Sequence, residues 1–138
     1  MRKLFLILLF SLFEHNVYAV SATVDYVLDG DTFAAAVNVS SDIAITVRVR
    51  LINIDAPELK GACDEEIELA NRAKQRLATL LPSGIVIDLQ NIKDDKYLGR
   101  IDANVILSDG RDVGDILMYD GLARKYISGE RRRSWCEN

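Results

Sequence analysis

Ile43-Ala44-Ile45-Thr46-Val47-Arg48-Val49-Arg50-Leu51-Ile52-Asn53-Ile54-Asp55-Ala56-Pro57-Glu58 is the stretch from which the architecture follows. Ile43, Ile45, Val47 and Val49 alternate with Ala44, Thr46 and Arg48, and a two-residue period of β-branched side chains is the pattern of a strand. The strand is expected to run on to Ile54 and to stop at Asp55-Ala56-Pro57, because proline has no N–H for a ladder. Ahead of it, Thr23 to Leu28 reads as a first strand and Thr32 to Val39 as a second, joined through the tight Asp29-Gly30 turn. Asn38 to Asp42 is a polar loop into the third.

Beyond this stretch the period lengthens. Ile67, Ala70, Ala73, Leu77 and Leu80 or Leu81 recur at three- and four-residue spacing, with Asp64, Glu65, Glu66 and Glu68 ahead of Arg72, Lys74 and Arg76. That order complements a helix dipole and marks an amphipathic helix over Asp64 to Leu81, which Pro82-Ser83-Gly84 ends. Ile85 to Ile92 and Ile101 to Leu107 are further alternating strands, joined by the charged loop Lys93 to Arg100, and Val113 to Leu122 is a short second helix. The order β-β-β-α-β-β-α fits a β-rich α+β domain, a five-stranded OB-type Greek-key barrel with two or three helices.

The first nineteen residues read differently. Arg2-Lys3, the apolar run Leu4 to Phe13 and the ending Val17-Tyr18-Ala19 make Met1 to Ala19 a secretory signal peptide. Its apolar run is about half of the ~20 residues that a membrane span needs, so no stable membrane association is expected after cleavage. Residues 20–138 then form one domain of 119 residues, exported to the periplasm or the medium, with 15 basic and 20 acidic residues and a formal charge of -5. Such acidity argues against charge-driven coating of DNA and favours an acidic site neutralised locally by a bound cation. The single histidine, His15, leaves with the signal, which excludes Ser-His-Asp, Cys-His and His-rich zinc chemistry. Cys63 and Cys136 are the two cysteines, and an even count in an oxidising compartment fits one disulfide; two free buried thiols are the alternative. The bond would close a loop of about seventy residues, on the order of 4 kcal/mol in the chain-entropy view.

Three strings carry chemistry: Asp29-Gly30-Asp31-Thr32, Arg50 through Glu58, and Asp95-Lys96-Tyr97-Leu98-Gly99-Arg100. Asp31 and Asp55 close a turn and a strand, where hard carboxylate oxygens can converge on Ca²⁺ or Mg²⁺, although either alone is also an ordinary turn residue. Glu58 is a general base for water or a solvated loop acid. Arg50 is a surface residue with a snorkelling stem or a charge held near Asp55 and Glu58, and Arg100 has the planar fork that matches a phosphate. Together they supply what hydrolysis of a phosphodiester needs, a base and positive charge at the phosphate oxygens.

With Gly121-Leu122-Ala123, these strings make the chain resemble the staphylococcal nuclease (thermonuclease) family from about Val24 to Tyr126. The resemblance implies an OB barrel with helices, Ca²⁺ as cofactor, and DNA and RNA as substrates; the chain is expected to act as a monomer. It implies Asp31, Asp55 and the carbonyl of Ala56 as calcium ligands, Glu58 as base, Arg50 and Arg100 on the phosphate, and Lys96 and Tyr97 in the nucleotide pocket. Leu98 is an insertion relative to the family string, so the aim of Arg100 depends on how the loop absorbs it. Ala56 replaces a threonine. A long C-terminal helix has no counterpart, since twelve residues follow Tyr126, and a Cys63–Cys136 bond would tether this tail instead. The competing reading is a non-catalytic OB-fold nucleic-acid-binding module. Cells expressing the whole sequence are expected to release a chain beginning at Val20, which intact-mass measurement checks.

Overall fold

Small and β-branched residues at alternate positions build the barrel. The computed structural model describes residues 18–137, so the expected signal segment lies outside the described residues except for Tyr18 and Ala19. β1 (Val20–Val27), β2 (Thr32–Asn38), β3 (Ala44–Leu51), β5 (Val86–Asp94) and β6 (Arg100–Ile106) close in the order β1-β2-β3-β6-β5, with β5 pairing back onto β1. All contacts in the barrel are antiparallel except β3 with β6, which is parallel. This is the expected OB-type barrel, with two helices: α1 (Asp64–Leu80) and α2 (Val113–Tyr119). Ala22, Val24, Phe33, Val49, Leu51, Leu89 and Val105 fill the core, and Ala73 and Leu77 of α1 and Leu117 of α2 belong to the same cluster. No helix among the described residues is long and apolar enough to cross a membrane.

Three local departures from the sequence reading each have a physical cause. β3 does not run to Ile54 but stops at Leu51, because Asn53 adopts a left-handed conformation (φ 61°) that asparagine tolerates better than most residues. The chain turns there into β4 (Ile54–Asp55), which pairs with β7 (Arg124–Lys125). Ile43 and Ile45 keep the strand period yet are exposed, as are most residues at this end of the β2–β3 hairpin. In α1, Ile67 faces solvent while Glu66 is 3 % exposed, so the first turn buries a charge where the periodicity placed an aliphatic residue.

Gly30 sets how closely the β1–β2 turn approaches the rest of the fold. A Cβ there would lie 2.8 Å from the Cβ of Ala73 in α1 and 3.2 Å from the Cβ of Ala56. Overpacking a tight contact costs about 1–3 kcal/mol. Gly30→Ala is therefore expected to lower the stability measured by thermal and urea denaturation by that order; an unchanged melting curve would mean the turn can lift off α1 freely.

Candidate active site

The two-residue register of the barrel brings most of the predicted residues to one mouth. Asp31 sits at the end of the β1–β2 turn, which is closed by the N–H groups of Leu28 and Asp29 on the carbonyl of Thr32. Arg50 near the end of β3 stands opposite Thr32 of β2 on one side and Asp102 of β6 on the other. Its Nη2 lies 3.6 Å from Asp31 Oδ2 and donates to the carbonyl of Ile54 at 3.4 Å. A cleft of about 520 Å³ is lined by Asp31, Arg50, Glu58, Lys96, Tyr97 and Arg100, together with Asp29, Asp94, Asp95 and Asp102. Glu58 is exposed on its wall and makes no ion pair or side-chain hydrogen bond to the described residues.

The inserted Leu98 does not misdirect Arg100. Leu98 points wholly into solvent, Gly99 takes a positive φ of 77° that suits glycine, and the Gly99 carbonyl accepts from the Arg48 N–H at 3.0 Å. The extra residue is thus absorbed as an outward bulge before β6 begins. Arg100 stacks on the Tyr97 ring at 4.5 Å, with Lys96 at 5.1 Å. Its Nη2 donates to Asp95 Oδ1 at 3.1 Å; its Nε lies 2.8 Å from Asp95 Oδ2 but is poorly aligned, so that contact is an ion pair and not a hydrogen bond. Asp95 also accepts the N–H of Tyr97 at 2.8 Å, which fixes the loop.

Asp55 and Ala56 lie close to the Asp31 turn, where a Cβ on Gly30 would come within 3.2 Å of that of Ala56, but both are engaged by the C-terminal tail. Asp55 lines a separate cleft of about 200 Å³, beside β7 and the C-terminal tail. Its Oδ1 accepts from Arg132 Nε at 2.9 Å and its Oδ2 from the indole Nε1 of Trp135 at 2.9 Å. Arg132 Nη2 donates to the carbonyl of Ala56 at 3.2 Å, and Nη1 to Glu66 Oε1 at 3.5 Å. Burial acts against the charge of Arg132, but the hydrogen bond and charge of Asp55, with Glu66 adding, hold its pKa above the ordinary arginine value. The tail carrying these donors is fixed by the Cys63–Cys136 disulfide, as the cysteine count led one to expect. In this arrangement two of the three oxygens assigned to calcium by resemblance already face a guanidinium, so the set does not fit the ion while Arg132 is seated. Among the described residues no three Asp, Glu, His or Cys side chains are grouped to hold a metal.

The main cleft is dominated by acids, six carboxyls against Arg50, Lys96 and Arg100. Burial pushes Asp31 up to about 7; the charge of Arg50 opposes the rise and Asp29 adds to it. Burial also raises Asp102, and the hydrogen bond and charge of Asp95 raise it further against Arg50 and Arg100. Asp95 is held below the ordinary range: burial acts against this, but the bonds from Arg100, the Tyr97 N–H and Asp102 outweigh it. Asp102 Oδ1 is buried with no hydrogen-bond partner among the described residues. The sequence reading missed Asp102, Glu66, Arg132 and Trp135. The expected disulfide was a signal for the last two, because it carries the tail to the start of α1.

Comparison with known proteins bears on this geometry. The family model described as Staphylococcal nuclease homologue matches residues 48–135, well over half of the chain. Endonuclease YhcR of Bacillus subtilis (strain 168) is 33 % identical over 111 residues, covering 75 % of this chain and 9 % of that protein. An uncharacterized endonuclease of Escherichia coli is 33 % identical over 100 residues, covering 72 % of this chain and 57 % of that protein. The chain thus spans under two thirds of the length of either relative.

The raised proton affinity of Asp102 has a thermodynamic signature. Asp102 titrates above its ordinary 3.8 in the folded chain, so the folded state holds a proton that the unfolded state releases, and stability falls as pH rises through the folded pKa. Asp102→Asn keeps a donor toward Asp95 and removes the charge. It is expected to raise the melting temperature at pH 8 and to leave it unchanged near pH 3; a gain of equal size at both would rule out a raised Asp102 as the cause.

Proposed function

Because the chain belongs to the staphylococcal nuclease homologue family, we propose that it is an exported, calcium-dependent nuclease that hydrolyses phosphodiester bonds of DNA and RNA. The observation that carries this reading is the single cleft in which Asp31, Arg50, Glu58, Lys96, Tyr97 and Arg100 meet from three separate sequence strings. Endonuclease appears in the names of both relatives, which supports the reaction class. Export is supported by the Cys63–Cys136 disulfide, a bond that persists in oxidising compartments.

The chemistry follows from the positions of the side chains. A phosphodiester entering the cleft would meet Arg50 from β3 and Arg100 from the start of β6, two guanidinium forks that hold phosphate oxygens and stabilise charge as it builds up in the transition state. Both are paired with acids beforehand, Arg50 with Asp31 and Arg100 with Asp95, so they are oriented before substrate arrives. Tyr97, half-exposed beside both Lys96 and Arg100, offers a ring on which a base can stack. Glu58 takes a proton from the attacking water. A divalent cation would add positive charge at the phosphate, which the excess of carboxyls in the cleft makes necessary. Asp31 is the buried carboxyl of the cleft best suited to gain from it.

Purified exported chain incubated with heat-denatured DNA and with RNA is expected to degrade both in calcium and neither with chelator. Glu58→Gln and Arg100→Ala are each expected to lower kcat by about 10²-fold or more while the melting temperature is kept. Near wild-type turnover in either variant contradicts the assigned role. Binding of nucleic acid without cleavage in calcium would transfer the protein to the class of OB-fold binding modules.

A further inference from the structure

The chain just before Trp135 carries a charge opposite to that of the domain it belongs to. Residues 124–133 hold Arg124, Lys125, Arg131, Arg132 and Arg133 against one acid, Glu130, a charge of +4 in a domain of formal charge -5. Two of the five bases are bound to the fold itself. Arg132 bonds Asp55, the Ala56 carbonyl and Glu66, while Arg124 stacks on the Trp135 ring at 3.6 Å and donates to the Ser134 carbonyl. The other three, Lys125, Arg131 and Arg133, are exposed and form no ion pair with the described residues. All three line the cleft of about 200 Å³ beside β7. Of the two acids on its wall, Asp55 is already bonded by Arg132 and Trp135, which leaves the exposed Glu130 as the single counter-charge.

Tyr126 joins this basic surface to the main cleft. It lines both, with its N–H fixed on the Asn53 carbonyl at 2.9 Å and its hydroxyl on the Glu130 carbonyl at 3.1 Å. The main cleft sets six carboxyls against three bases, an excess of negative charge that does nothing to draw in a polyanion. The basic cleft next to it supplies that attraction. We propose, on the nuclease reading of the main cleft, that Lys125, Arg131 and Arg133 form a phosphate-binding track for the single-stranded nucleic acid that leaves the main cleft past Tyr126. A long strand is then held at two places and a short one at the main cleft alone. Guanidinium and ammonium groups hold phosphates without reading bases, so the track adds affinity that is independent of sequence and sensitive to salt. The Cys63–Cys136 bond and the Trp135 indole on Asp55 keep the tail where this path is continuous. A concave surface that runs into a second cleft suits a strand, whereas a flat layer of lipid headgroups would touch its rim alone.

Fluorescence anisotropy of a labelled single strand of about 30 nucleotides, read in chelator, compares the wild-type exported chain with Lys125→Gln/Arg131→Gln/Arg133→Gln. The triple variant is expected to bind about tenfold more weakly at low salt, with a log–log salt slope less steep by about 2. Arg72→Gln/Lys74→Gln, which alters two bases of α1 that line neither cleft, is expected to bind like wild type. In calcium, the triple variant is expected to raise KM for the long strand about tenfold and to leave its kcat, and cleavage of a trinucleotide, unchanged. Unchanged binding in a folded triple variant overturns the proposal, as does an equal loss in the α1 control. If the triple variant does not fold, wild-type binding in both Lys125→Gln and Arg133→Gln overturns it. Loss of binding to anionic phospholipid vesicles with strand binding intact also overturns it and assigns the surface to a membrane. A wild-type chain that cuts no nucleic acid refutes the nuclease reading, while the comparison in chelator still decides whether the track exists.

Discussion

The parallel pairing of β3 with β6 is the constraint on which the cleft depends. Every other contact around the barrel joins antiparallel strands, whereas this one joins strands separated by β4, α1 and β5, and without it the barrel would be open. Its register sets Arg48 opposite Arg100 and Arg50 opposite Asp102. A slip of one residue would send Arg50 to the other face, because side chains alternate along a strand. Closure and placement of the cleft arginines are therefore the same structural event, and the buried residues that hold the register, Val49, Leu51, Ala103 and Val105, act on the cleft without touching it.

The cleft keeps charges of both signs at short range and lets neither dominate locally. Arg50 is matched by Asp31, Arg100 by Asp95, and Asp102 lies between the two arginines with a raised affinity for a proton. The arginines are thereby aimed before any anion arrives, which lessens the ordering cost on binding. The surplus of acids works in the other direction and gives the cleft as a whole an excess of negative charge.

Legibility in the sequence followed the range of the interactions involved. The strands and α1 were readable because their periods are local, and the cleft residues because they fall in three short strings. Asn53 was harder: the apolar pattern continues through it to Ile54, and only the tolerance of asparagine for a left-handed backbone explains the break. Glu66 was readable only as one of the acids that complement the dipole of the first helix, and its burial was not, since its partner Arg132 is 66 residues away. Asp55 is likewise bonded across 77 and 80 residues. No pattern within a window can reveal such pairs, and the two cysteines were the one clue that the tail reaches the start of α1. Leu98 shows the reverse, an apparent threat to Arg100 that the loop disposes of by turning one residue outward.

The Cys63–Cys136 bond also divides the molecule mechanically. It makes a covalent ring of the segment that holds α1, β5, β6, α2 and β7, and leaves β1 through β4 outside. If the two ends of the chain are drawn apart, nothing between residues 63 and 136 can lengthen, and the extension must come from the N-terminal strands peeling away from β5 and β6. The barrel is in this sense two pieces, an inextensible ring with two strands and an unfurlable ribbon with three, joined along the β1–β5 and β3–β6 seams.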